Sequence, residues 1–144
     1  MAEEIRVSTK GEGEMLNITE RVQRVVSASG VMEGVACAFV VGSTAALTTI
    51  EFEPGLVEDM RSAAERLFPR GMDYEHHRRW GDGNGHSHVR AAFIGPSLCI
   101  PIANCRLALG TWQQIVLLEY DIKPRERRVI VQVLASAQGK KGTG

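Results

Sequence analysis

From Ser97 to Ala135 the chain reads as one short strand after another, over 97–102, 105–108, 112–120 and 127–135. Ala103-Asn104, Leu109-Gly110 and Lys123-Pro124-Arg125 supply the breaks between them. Turn residues at such short spacing suit hairpins and leave no room for the long helices of a bundle. Arg128-Val129-Ile130-Val131-Gln132-Val133-Leu134 is apolar enough to be a central strand. A further strand is expected over 87–94, ended by Gly95-Pro96.

The first half mixes strands with two amphipathic stretches. Strands are expected over 4–9, 15–18, 34–41 and 45–52, from alternating or continuous β-branched and apolar residues. Thr19 is placed to start a helix whose Val22, Val25 and Val26 share one stripe, and Gly30 to end it. Glu53-Pro54-Gly55 opens a second helix, with Val57, Met60, Ala64 and Leu67 inward and Glu58, Asp59, Arg61 and Glu65 outward. Pro69 and Gly71 stop it, and residues 70–85 read as a long polar loop. The expectation is an α+β fold with a mostly antiparallel sheet and two helices. It forms one domain over 1–135, with a mobile tail rich in Gly, Lys, Ser and Thr over 136–144.

Charge narrows the partners. Seventeen basic and seventeen acidic side chains cancel, which argues against nucleic acid or a membrane surface as a general partner. No apolar run is long enough to span a bilayer, and Glu3 and Glu4 do not suit a signal peptide. Cys37, Cys99 and Cys105 sit among apolar residues without the close spacing of a structural zinc site. They read as buried, reduced thiols of a cytoplasmic protein.

The chemistry concentrates in Gly81-Asp82-Gly83-Asn84-Gly85-His86-Ser87-His88-Val89-Arg90-Ala91. All four histidines of the chain lie between residues 76 and 88. If 86–91 is extended, His86, His88 and Arg90 share one face. The two imidazoles could then meet His76 around a divalent metal, zinc by ligand type, or serve as hydrogen-bonding groups of a metal-free pocket. Arg90 could hold a phosphate or carboxylate, or a salt bridge to a neighbouring strand. Gly42-Ser43-Thr44 is either a phosphate cradle, with Ser43 and Thr44 as donors, or an ordinary Ser/Thr turn. Thr111 and Gln113 share a strand face, to read a polar ligand or to knit a subunit boundary. Glu51 could be a general base or a metal ligand, or simply cap a helix. The glycine-rich run 81–85 fails as a nucleotide loop because a strand, not a helix, is expected after it.

Asn84-Gly85-His86-Ser87-His88-Val89-Arg90-Ala91, Gly95-Pro96-Ser97-Leu98 and Leu107-Ala108-Leu109-Gly110-Thr111-Trp112-Gln113-Gln114 resemble the signature of the YjbQ-like family. Many members are described as secondary thiamine-phosphate synthase enzymes. The resemblance implies an α+β sandwich assembled as a homotrimer, with a cavity that holds a metal ion in some relatives. Carried over by position, it points to His76, His86, His88, Arg90, Thr111 and Gln113. Val41-Gly42-Ser43-Thr44 stands where many relatives have Pro-His-Thr-Thr, so one family histidine is missing. The function expected is a metal-assisted enzyme acting on a phosphorylated or otherwise anionic small molecule. His76, Glu51 and Arg90 are its catalytic candidates. The competing reading is a non-catalytic metal- or metabolite-binding trimer.

Overall fold

The computed structural model describes residues 2–137. Eight strands and four helices follow in the order β1 (Ala2–Ser8), β2 (Met15–Asn17), α1 (Thr19–Ser29), β3 (Glu33–Val41), β4 (Ala45–Ile50), α2 (Pro54–Leu67), α3 (Glu75–Trp80), α4 (Gly85–Ile94), β5 (Ser97–Ala103), β6 (Arg106–Leu107), β7 (Gln114–Glu119) and β8 (Glu126–Ala135). The strands form two sheets, ordered β1-β8-β3-β5-β6 and β2-β7-β4, and every pairing is antiparallel. The α+β sandwich and the central place of β8 are as expected. The tail expected over 136–144 lies, from residue 138 onward, outside the described residues.

The three-stranded sheet explains why β7 reads as a continuous apolar run. Ile115 and Leu117 point into the core shared with the five-stranded sheet and α1, where Val22, Val26, Val40, Val129 and Val131 pack. Val116 and Leu118 point the other way, onto a second core with Ala46, Ala91 and Tyr120, backed by Val57, Met60 and Ala64 of α2. A sheet buried on both faces needs apolar residues at consecutive positions, not alternate ones. The outer face of the five-stranded sheet, by contrast, exposes Phe39, Val41 and Leu134.

Helix ends follow local chemistry in two cases. Gly30 closes α1 at φ 67, a left-handed position that glycine adopts without strain. The Glu53 carboxylate caps α2 by accepting from the Gly55 and Leu56 N–H groups at 2.7 and 2.9 Å. These contacts hold the Glu53 carboxyl below the usual carboxylate range. Thr19 does not cap α1 by side chain. Its hydroxyl accepts instead from the Ile115 N–H at 2.8 Å and ties the helix to β7.

Two expectations are overturned. Residues 70–85 are not a structureless loop, because α3 occupies 75–80. Residues 87–94 are not a strand, because α4 runs from Gly85 to Ile94. Histidine, serine and valine are indifferent helix formers. The burial of Gly85, His86, Ser87, Arg90 and Ala91 on one side of the segment decides its conformation. Leu67, expected inward, is also exposed at the end of α2.

Candidate functional site

A helix turns about 100° per residue, so the switch from strand to helix redistributes the proposed ligands. His86 and Arg90, four residues apart, remain on one face, and His88 moves to another. The structure does not bring the three into one hollow.

The His86 face is internal. His86 is completely buried, and its Nε2 lies 2.7 Å from Glu12 Oε1. Arg90 donates to the Phe68 carbonyl through Nε at 3.0 Å and to Glu65 Oε2 through Nη2 at 2.8 Å. Its Nη1 stands 3.6 Å from Glu12, and the guanidinium lies over the Tyr120 ring. Glu12 is also paired with Arg70 at 2.7 Å. These contacts pin α4 to the end of α2 and to the 11–13 turn, so Arg90 is fully engaged by the protein itself. Its salt bridges run to helix and turn residues, not to a neighbouring strand.

The His88 face is different. The His76 and His88 rings lie 4.5 Å apart between centroids, tilted by 36°. Asp82 Oδ1 stands 3.4 Å from His76 Nδ1, which is buried and has no hydrogen-bond partner. The same Asp82 oxygen accepts from the Asn84 N–H at 3.1 Å, closing the Asx-type turn that leads into α4. His88 lines a hollow of about 380 Å³ together with Gly42, Ser43, Ala45, Ala91, Ala92 and Pro96. Burial, and then the neighbouring His76, lower the His88 pKa against the opposing pull of Asp82 and Asp121, so its neutral form is favoured.

Beneath this hollow lies a carboxylate network that the sequence did not reveal. Asp121 Oδ2 accepts from Thr44 Oγ1 at 2.9 Å, Asn84 Nδ2 at 3.2 Å and Arg125 at 3.1 Å. Burial alone would raise its pKa. The Lys123 N–H and these side chains outweigh that effect and hold it low. Thr44 also accepts from Arg127 at 2.7 Å, and Arg127 in turn pairs with the fully buried Glu119. Thr44 is therefore a buried strut, whereas Ser43 faces the hollow. No local signal marks Asp121 as buried or Glu12 as the partner of His86.

The remaining candidates lie elsewhere. Thr44 precedes β4 and Glu51 follows it, so the two stand about 20 Å apart along an extended strand. Glu51 and Thr111 line a separate groove with Asn17, Phe52, Trp112 and Gln114. Thr111 to Gln113 form the turn before β7 and not a strand face. Gln113 accepts from the Gly110 N–H at 2.8 Å and closes that turn. The run 81–85 is followed by a helix after all, but a helix also precedes it. The strand-loop-helix frame of a nucleotide loop is still missing.

The chain matches the profile of "UPF0047 protein YjbQ-like" over residues 3–136. It belongs to that family. A UPF0047 protein of Archaeoglobus fulgidus is 39% identical over 131 residues, covering 91% of this chain and 99% of that one. A solved YbjQ-like protein of unknown function from Sulfolobus solfataricus superposes with a TM-score of 0.88 at 33% identity, covering 94% and 97% of the two chains. A YjbQ/UPF0047 family protein of Clostridium acetobutylicum gives 0.83 at 34% identity, covering 92% and 99%. The family relationship thus spans the fold and the segments that carry both histidine faces. Among the described residues no group of three or more His, Cys, Asp or Glu side chains is arranged to hold a metal ion. No helix among them is long and apolar enough to cross a membrane.

Proposed function

We propose that this YjbQ-like protein is a cytoplasmic enzyme acting on a small phosphorylated or otherwise anionic molecule, with His76 and His88 as its proton-handling pair. The observation that carries this reading is the stacked pair itself. One ring lines an open hollow in its neutral form, and the other has a buried, unpartnered nitrogen beside a carboxylate. A neutral imidazole beside a second ring whose buried nitrogen faces a carboxylate is suited to move a proton on and off a bound substrate. Ser43, on the rim, offers a hydroxyl to an anionic group.

A divalent ion such as zinc, which accepts neutral imidazole nitrogens, is the metal to test at this pair. When bound, such an ion would supply positive charge beside the anion. His86 is not part of that donor set. The narrower form of the reading is the joining of a pyrimidine diphosphate to a thiazole phosphate, in which the new bond to the thiazole forms as pyrophosphate leaves, and these two compounds are the first substrates to assay. The test compares wild type, His76→Gln, His88→Gln and His86→Gln for turnover and for metal content. Loss at 76 and 88, with folded His86→Gln still active, supports the reading. Equal turnover and equal metal in all four would overturn it.

A non-catalytic binding role is favoured by one observation: Glu51 lines a separate groove and not the hollow that His88 lines. Ligand binding without turnover, unaffected by Glu51→Gln, would identify that role. In either case we propose a homotrimer. Leu67, Phe93 and Ile94 are exposed beside an apolar cleft of about 170 Å³ lined by Met60, Ala63, Ala64 and Phe68. An apolar surface of that kind suits a second copy of the chain.

A further inference from the structure

Cys37 of β3 and Cys99 of β5 are register partners in an antiparallel pair. Directly opposed residues in such a pair have Cα atoms about 4.5 or 5.5 Å apart, and both values lie within the range a disulfide spans. The two Sγ atoms are 2.9 Å apart, and the residues are free thiols. Cysteines are usually buried, and these were expected to be, yet Cys99 is exposed and Cys37 half-buried. Both lie on the outer face of the five-stranded sheet, with Phe39 and Gln132 as neighbours on β3 and β8. Cys105, the third cysteine, is held against the Val26 carbonyl at 3.7 Å, away from the pair.

We propose that Cys37 and Cys99 form a redox site that exchanges with small disulfides of the glutathione class. The Cys99 thiolate attacks one sulfur of the small disulfide, forming a mixed disulfide and expelling one small thiolate. Cys37, already beside it, attacks the Cys99 sulfur through its own thiolate and expels the second. Two protein thiols and one small disulfide become one protein disulfide and two small thiols, which carry away the two protons. The protein loses two electrons and the small disulfide gains them. The Cys37 thiol is held above its usual pKa by its hydrogen bond with Cys99 and by burial, so Cys37 suits the second, resolving step and not the first attack. The closed bridge would enclose β4, α2, α3 and α4, the whole segment that carries the histidine pair. The inference does not depend on what that pair does.

The test treats the full-length chain with graded ratios of oxidised to reduced glutathione, followed by mass spectrometry and thiol counting. The expected product is a monomeric chain lighter by two hydrogens, with one titratable thiol left, reversed by excess reduced glutathione. Cys105→Ser should behave identically apart from the missing thiol, and Cys37→Ser should stop at a stable glutathione adduct on Cys99. The oxidised wild type should also melt at a higher temperature, because the bridge constrains a long segment of the unfolded chain. A wild-type chain that stays reduced, accumulates adducts, or links only between chains would overturn the proposal.

Discussion

His86 Nε2 and Glu12 Oε1 meet at 2.7 Å inside the protein, and the imidazole is completely shielded from solvent. This contact separates the two histidine faces of α4. One face anchors the helix, and the other opens on a hollow. Removing His86 takes one hydrogen bond from Glu12, which keeps Arg70, and opens a void in a fully buried site. His86→Ala should therefore lower stability by about 3 kcal/mol in urea titrations. A void-tolerant variant with unchanged stability would show that the contact is weak.

His88 makes stability depend on pH in a defined direction. Its pKa in the fold lies below the ordinary value of 6.5, so the unfolded chain takes up a proton first as pH falls. The stability that goes with neutral His88 is complete above about 6.5 and is lost as pH drops from there through the folded value. The urea midpoint should fall between pH 7.5 and pH 5.5 by a larger margin in wild type than in His88→Gln. Equal slopes would show that His88 does not titrate abnormally.

Gly85 opens α4 at a point where a side chain has no room. A Cβ there would lie 2.6 Å from the Tyr74 Cβ, which sits on the backbone and cannot swing aside. Gly85→Ala should cost about 2–3 kcal/mol and loosen the His76–His88 stack. Amide exchange across 74–88 would report the change, and protection equal to wild type would contradict it.

Glu119 is fully buried and balanced by Arg127, with Thr9 donating at 2.7 Å. Arg127→Met removes the cation and leaves a buried carboxylate without its main partner. A loss of about 3–5 kcal/mol is expected by thermal or urea unfolding. Glu119→Gln together with Arg127→Met should recover part of it, and no recovery would mean that packing, not charge, is the cause.

The trimer proposal has its own measurement. Phe93 is 74% exposed and stacks at 4.6 Å on Phe68 beside the apolar cleft. Phe93→Asp should shift the mass in light scattering from three chains toward one, with little change in monomer fold. Wild type that is monomeric at micromolar concentration would remove the proposal.

Much of the fold was legible from local pattern. The breaks at Lys123-Pro124 and Leu109-Gly110, the Gly30 stop and the Val22, Val25, Val26 stripe all rest on interactions within a few residues. Gly85 to Ile94 was not legible, because His86-Ser87-His88-Val89 satisfies a two-residue alternation as well as it satisfies a helix. The candidate site inherited that ambiguity. His76 and His88 do come together, but His86 and Arg90 are claimed by Glu12, Glu65 and the Phe68 carbonyl.

The sequence by itself determined the sheet-forming second half, the two amphipathic helices, the family and the cluster of histidines, because periodicity, turn chemistry and motif are properties of neighbouring residues. Tertiary structure alone decided which imidazole faces solvent and which faces Glu12, where Asp121 finds its donors, and that two cysteines 62 residues apart touch. Those outcomes depend on the conformation of α4 and on strand register. Both are settled by burial against distant parts of the chain.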